Sequence, residues 1–156
     1  MSQGQQAGAA LQELSQQLEE LEAVKEQLSD QLGATQTEKQ EVKTAIETLG
    51  DLETGSTVQV PLGGDAYVRA EIQDIEDVIV SLGADYAAER SQAGAIETLE
   101  NRIDQLDEQI AEIQDNLSDV DTDIQEVESH AQQVRQQMAQ QQAQQMGGMG
   151  LGGEDS

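Results

Sequence analysis

Hydrophobic residues recur at alternating intervals of three and four positions over two long stretches of the chain, residues 11–49 and residues 96–138. A repeat of about 3.5 residues stays on one face of an α-helix only when the helix supercoils around another helix. The pattern therefore predicts two long coiled-coil helices, at residues 9–50 and 91–142. The fold class that we expect is mostly α, with a small β insert between two antiparallel helices.

Three positions of the first repeat carry polar residues, Lys25, Thr35 and Lys39. Polar residues in a coiled-coil seam usually set the pairing register or loosen the helices locally. We expect that role for these three residues, and contact with a binding partner is the alternative.

Residues 51–90 change to the two-residue alternation of β-strands. Turn-forming residues at 63–65 and at 83–85 predict two β-hairpins, one after the other. Small isolated hairpins are marginally stable in water, so the insert predicts assembly with other chains through its sheet edges. The apolar strand positions expected to make the assembly contacts are Val58, Val60, Leu62, Val68, Ile72, Val78, Val80 and Leu82.

The two ends of the chain differ from the helices. Residues 1–8 are expected to fray, and residues 143–156 form a Gly- and Met-rich tail that is expected to be flexible. Antiparallel pairing brings both helix ends to one tip, where methionine can adapt to varied apolar surfaces. Frayed termini without a role are the alternative. The candidate binding residues at the tip are Ala10, Leu11, Leu14, Met138, Met146 and Met149.

Composition supports an elongated rather than a globular protein. The chain has two tyrosines, Tyr67 and Tyr86, and lacks Phe, Trp and Cys. Its net charge is -25, with only seven Lys and Arg residues. Disorder, a basic partner and adaptation to molar salt would each explain that charge, because the Debye length falls to about 3 Å at 1 M salt. The acidic residues are spread along the chain and avoid the seams, which favours salt adaptation.

Several kinds of function are disfavoured by what the sequence lacks. The carboxylates lie on helix faces that offer no enclosure to shift a pKa, and His130 is the only histidine, so we expect no catalytic or metal site and no cofactor. Seven scattered cations do not form a basic patch for nucleic acid, and no apolar run is long enough to span a membrane. We expect a cytoplasmic protein that is not an enzyme.

The two hairpin segments carry a resemblance to a known family. Residues 58–68, VQVPLGGDAYV, and residues 78–86, VIVSLGADY, resemble the hairpins of the alpha subunits of archaeal prefoldins. The resemblance implies an ATP-independent chaperone in which two alpha and four beta subunits join through their hairpins. Coiled-coil tips would hold unfolded polypeptides and pass them to a group II chaperonin. The acidic composition suggests a halophilic version.

A structural scaffold that dimerises through its coiled coil is the alternative function. A scaffold does not need hairpins, so deletion of residues 54–87 should abolish assembly of a chaperone and leave a scaffold's oligomer largely intact. An acidic decoy for a basic protein is a third hypothesis, and its binding should collapse as salt rises.

Overall fold

The computed structural model describes the backbone of residues 3–154 and the side chains of residues 4–144. Two long helices enclose two hairpins in sequence, which confirms the expected fold class. The elements are α1 (Gln3–Asp51), β1 (Thr57–Gly63), β2 (Ala66–Glu71), β3 (Val78–Gly83), β4 (Tyr86–Arg90) and α2 (Gln92–Glu154).

Both helices extend beyond the bounds expected from the sequence. α1 begins at Gln3 instead of residue 9, and α2 reaches Glu154 instead of ending at Gln142. Gln, Ala and Met are good helix formers and favour these extensions, whereas each glycine in them costs a helix about 1 kcal/mol. Fraying of residues 1–8 and flexibility of residues 143–156 concern motion and stay predictions.

The seam positions follow the predicted repeat. All predicted positions of residues 11–49 except Lys25, and all of those of residues 96–138, are buried or partly buried. The chain divides into two compact units, unit 1 (residues 1–32 and 112–156) and unit 2 (residues 33–111). Each unit contains a segment of both helices.

In unit 1, the two helix segments run antiparallel. Lys25 Nζ lies 2.8 Å from Asp121 Oδ1, while Leu11 and Leu14, earlier in α1, share a groove with Ala131, later in α2. Leu14 is among the few buried residues of the described chain. Burial of aliphatic side chains along this seam is the main stabilising contribution, because nearly all charged side chains around it are acidic and repel one another.

Unit 2 contains the remaining helix segments and both hairpins. Leu106, in its seam, is fully buried. At the start of α2, the Gln92 side-chain amide donates hydrogen bonds to the backbone carbonyls of Leu49 (2.7 Å) and Leu52 (3.0 Å). These bonds satisfy carbonyl groups at the end of α1 that have no partner within the helix, and they fix the start of one helix against the end of the other.

Hairpin 1 is formed by β1 and β2, which pair antiparallel with Val60 opposite Val68. Its turn residues Gly64 and Asp65 have φ angles of 58° and 63°. Positive φ at both central residues is the geometry of a type I′ turn, whose twist matches that of the flanking strands. The pairing register shifts between Pro61 and Gly63, which places a β-bulge next to the turn.

Hairpin 2, formed by β3 and β4, repeats this construction. Val80 lies opposite Ala88, and the register shifts between Ser81 and Gly83. The turn residues Ala84 and Asp85 have φ angles of 50° and 65°. Alanine in this conformation is strained by its Cβ atom, which glycine lacks. The second hairpin therefore has the turn geometry of the first, with a less favourable residue in it.

Candidate functional site

The hairpins expose most of the large hydrophobic side chains that lie on the described surface. Eight such side chains are exposed among the described residues, and seven of them belong to the hairpins. The seven are Val60, Leu62, Tyr67, Val68, Ile79, Leu82 and Tyr86. Large exposed apolar side chains that are concentrated in one short part of the chain point to an interaction surface more often than to an ordinary solvated face.

The eight predicted assembly residues are distributed over different environments. Val60, Leu62, Val68 and Leu82 are exposed, whereas Val58, Ile72 and Val78 are partly buried. Val80 is 8% exposed and lines the same cleft of unit 2 as Val42 and Leu99. Its side chain therefore faces the helices of the same unit and offers little surface to another subunit, and its assembly role stays a prediction.

Three exposed side chains of the hairpins were absent from the sequence-based selection: Tyr67, Ile79 and Tyr86. Ile79 is 72% exposed and pairs with Glu89 across the sheet, on the face opposite Val80. The run Val78-Ile79-Val80 is apolar on both faces, a pattern typical of strands that are covered on both sides. That signal was present in the sequence and points to Ile79 as a contact residue.

The strand edges of the hairpins are also available. Each hairpin is a separate two-stranded sheet, so every strand has one edge without a strand partner in the described chain. Unpaired N–H and C=O groups on such an edge form a template for a strand from another molecule. Pro61 removes one donor from the edge of β1, as expected for an edge strand.

At the tip, meaning the N-terminal part of α1 and the C-terminal part of α2 in unit 1, the structure describes four of the six predicted residues. Leu14 is buried, and Ala10, Leu11 and Met138 are partly buried. The side chains of Met146 and Met149 lie outside the described residues. The described tip residues therefore present partial rather than fully exposed apolar surface.

Ion pairs join the helix segments within each unit. Lys39 Nζ lies 2.5 Å from Asp107 Oδ1, and in the same turn of α1 Glu38 accepts a hydrogen bond of 2.6 Å from Arg102. Two adjacent residues of α1, Glu38 and Lys39, thus each form an ion pair with α2. A pair of partly exposed charges adds little stability, but a misaligned register would separate several charges at once.

Lys25 plays the same part in unit 1 as Lys39 does in unit 2, because it pairs with a carboxylate of α2 across the seam. Its hydrogen bond to Asp121, followed by the charge of that carboxylate, raises the pKa of Lys25 above its ordinary value of 10.5, and Glu22 adds a smaller effect. Lys25 and Lys39 are two heptads apart, as are Asp107 and Asp121. The two lysines of the seam therefore have partners of opposite charge, which supports the predicted role of these two residues in setting the register. The partners Asp107 and Asp121 were not predicted from the sequence, because the register between the two helices decides which carboxylates face the lysines.

No group of three or more His, Cys, Asp or Glu side chains within the described range could hold a metal ion. Among the helices that the structure describes, none is long and apolar enough to cross a membrane.

Comparison with protein families gives one match that covers most of the chain. The family model described as "Prefoldin subunit" matches residues 8–137. The matched range includes both hairpins, the whole first seam and the second seam as far as Val134.

Curated relatives carry the name "Prefoldin subunit alpha". The relative from Haloarcula marismortui is 45% identical over 92 residues, which is 59% of this chain and 60% of the relative. The one from Haloquadratum walsbyi is 59% identical over 69 residues, 44% of this chain and 43% of the relative. The one from Natronomonas pharaonis is 65% identical over 48 residues, 31% and 32% of the two chains. The matched segments thus span 60% or less of these relatives.

Among solved structures, the cryo-EM structure of filamentous PFD from Methanocaldococcus jannaschii is similar, with a TM-score of 0.51. The match covers 79% of this chain and 98% of the other chain at 24% sequence identity. At that identity the similarity supports the fold alone.

Proposed function

Because this chain belongs to the prefoldin family, we propose that it is the alpha-type subunit of a cytoplasmic chaperone that holds unfolded polypeptides without ATP. Two copies would assemble with four beta subunits, and the complex would pass its clients to a group II chaperonin. The observation that supports this proposal most strongly is the concentration of exposed apolar side chains and open strand edges on the two hairpins.

Assembly would use both parts of that surface. Another subunit's strand would complete the hydrogen bonding of an open edge, and apolar side chains such as Leu62, Ile79 and Tyr86 would be covered. Tyr86 is 73% exposed and combines a large apolar ring with a hydroxyl group, a combination that is enriched at protein interfaces.

Client binding would take place at the tips, through the residues Ala10, Leu11, Leu14, Met138, Met146 and Met149. One tip offers only a small apolar surface, so its affinity for a client would be weak. Several tips on one platform would raise the effective concentration for the second and later contacts without any additional contact area. Because the contact of each single tip is weak, the bound client can also be released.

The charge supports function in concentrated salt. Both units are strongly acidic, and the acidic residues are not confined to one surface. At molar salt the Debye length is about 3 Å, so this self-repulsion is largely screened while apolar contacts persist. Client capture through apolar surface should therefore survive conditions in which an acidic decoy would release its partner.

The test is light scattering of a refolding client in molar KCl without ATP. The chain is assembled with beta-type subunits, either intact or with residues 1–12 and 139–156 removed. Intact complex is expected to suppress aggregation, and the trimmed complex is expected to lose most of that activity. Val24→Ser serves as a control, because Val24 is an exposed apolar residue of α1 that lies outside the proposed tip.

Equal suppression by intact and trimmed complexes would place client binding elsewhere. If neither complex suppresses aggregation and both have the mass of the full assembly, the holdase proposal fails and a scaffolding function is favoured.

A further inference from the structure

The two hairpins join the helices of unit 2 through three short segments, residues 52–56, 72–77 and 91–92, which we name the hairpin root. The first segment connects α1 to hairpin 1, the second connects hairpin 1 to hairpin 2, and the third leads from hairpin 2 into α2. Each hairpin is a two-stranded sheet of its own, and no strand of one pairs with a strand of the other within the described chain. The position of one hairpin relative to the other therefore depends on the contacts of the root and on packing against the helices.

Gln92 connects the two ends of the root. Its side-chain amide donates hydrogen bonds to the carbonyls of Leu49, at 2.7 Å, and Leu52, at 3.0 Å. Leu52 follows the last residue of α1, and only Ser91 lies between β4 and Gln92. One partly buried side chain thus links the chain just before hairpin 1 to the chain just after hairpin 2. Ala95, one turn further along α2, is fully buried, so the start of this helix cannot move without loss of packing.

Thr54 makes a second link within the root. Its hydroxyl accepts a hydrogen bond of 3.1 Å from the backbone N–H of Ile75, which lies between the hairpins. The loop that contains Thr54 also extends the pairing of hairpin 1, because Gly55 N–H donates to the Ile72 carbonyl (2.8 Å) and Ile72 N–H donates to the Ser56 carbonyl (2.9 Å). The segment between the hairpins is therefore attached to the loop before hairpin 1 and is not a free linker.

The hydrogen bonds of the root join neutral groups. The ion pairs that the described side chains form lie on the helices instead, at Lys25, Lys39 and Arg102. At molar salt the Debye length is about 3 Å, and exposed ion pairs are weakened. A hydrogen bond between an amide or hydroxyl group and a backbone group does not depend on an ionic charge, so it persists under these conditions. In a chain with a net charge of -25, contacts of this kind can fix the hairpins in concentrated salt.

We propose that Gln92 is a positioning residue for assembly and that, with support from Thr54, it holds the two hairpins in the arrangement that partner subunits bind. This inference rests on the proposed assembly through the hairpins. If the hairpins moved freely relative to each other, assembly would have to order them, and the lost conformational freedom would weaken binding. A chain in which this order is already present can use both hairpins at once.

The test uses variants that remove single contacts of the root. Gln92→Met removes both donated hydrogen bonds and keeps a side chain of similar length. Gln92→Lys keeps a long side chain with N–H donors, so it is expected to retain the contact with the two carbonyls. Thr54→Val removes the hydroxyl with little change of shape. The matched controls are Gln125→Met, at an exposed glutamine of α2, and Thr44→Val, at an exposed threonine whose hydroxyl donates to a carbonyl of its own helix.

The arrangement of the hairpins can be measured directly because the chain has no cysteine. Gln59→Cys in hairpin 1 and Glu89→Cys in hairpin 2 place nitroxide labels at two exposed strand positions. The labelled full chain is diluted into an excess of unlabelled chain in molar KCl, and pulsed EPR gives the distances between the two labels of one chain. We expect a narrow distribution for the unmodified chain and both controls, a broad one for Gln92→Met, and a narrow one again for Gln92→Lys.

Assembly is measured with unlabelled full chain and beta-type subunits over a series of concentrations in molar KCl. Loss of one neutral hydrogen bond changes an equilibrium by about fivefold. Gln92→Met loses two such bonds and is expected to weaken assembly by about tenfold or more, whereas Thr54→Val, at an exposed site, should weaken it by about threefold. Gln92→Lys and both controls should stay within about twofold of the unmodified chain.

A purely structural part for Gln92 gives a different result. Gln92→Met would then have a lower melting temperature, while the label distances and the assembly of the folded chain would not change, and that outcome would overturn the inference. Equal weakening by Gln125→Met would overturn it as well. Failure of the proposed function is distinguishable, because the unmodified chain would then not assemble with beta-type subunits at all. The label distances would still show whether Gln92 positions the hairpins.

Discussion

Replacement of Leu106 by alanine tests whether the seam stabilises this protein. Leu106 is fully buried in the seam of unit 2. Truncation of a buried leucine to alanine removes its transfer free energy and leaves a cavity, which together cost about 2.7–5 kcal/mol in well-packed cores. A two-helix seam can relax more than a globular core, so we expect a loss of about 3 kcal/mol in the free energy of unfolding.

The assay is chemical denaturation in molar KCl, followed by helical circular dichroism at one fixed protein concentration, because assembly contributes to apparent stability. Val24→Ala is the matched control: Val24 is 43% exposed and lies outside the proposed assembly surface, and truncation there is expected to change the unfolding free energy by less than about 0.5 kcal/mol. A loss below about 1 kcal/mol for Leu106→Ala, or equal losses for both variants, would refute the assignment of stability to the seam.

Three further predictions concern the turns, the ion pairs and salt. Ala84→Gly removes the Cβ atom at a φ of 50° and should stabilise the fold by about 1 kcal/mol, whereas Gly64→Ala, at φ 58°, should destabilise it by a similar amount. A lower melting temperature for Ala84→Gly or a higher one for Gly64→Ala would contradict the turn geometry. The pKa of Lys25 is raised in the folded state by its pair with Asp121. The stability from this pair is therefore fully present below pH 10.5 and is lost as pH rises through the folded-state pKa. Lys25→Met should remove that loss of stability at alkaline pH, as measured by a pH series of melting curves. Dilution of KCl to about 0.1 M lengthens the Debye length to about 10 Å and should reduce helicity, because the carboxylates then repel one another. A circular dichroism signal that does not change on dilution would show that this repulsion does not unfold the helices.

The parts of the fold that depend on local pattern were predictable. The seam at residues 96–138 follows directly from the spacing of its aliphatic residues, since a heptad repeat can be buried on only one face of a helix. The turn at Gly64 and Asp65 was equally clear, because both residue types tolerate positive φ. In these segments the conformational preference of each residue and the spacing of the apolar residues predict the same structure, so the sequence alone was sufficient.

The features that depend on contacts between distant residues were not predictable. Alternation placed Val80 on one face of β3, but only the folded structure shows that this face is turned to the chain's own cleft and that Ile79 is left exposed. The pairing of Lys25 with Asp121 and the groove at Ala131 depend on the register between two helices, which the sequence of either helix does not contain.

The most direct test of the account is the native mass of the chain mixed with a beta-type prefoldin subunit in molar KCl. A variant in which Leu62, Ile79, Leu82 and Tyr86 are replaced by Ser is measured beside the unmodified chain, with circular dichroism to confirm that both are helical. We expect a complex of two alpha and four beta subunits for the unmodified chain and unassembled, helical protein for the variant. Complexes of equal mass from both proteins would contradict the claim that the hairpins are the assembly surface.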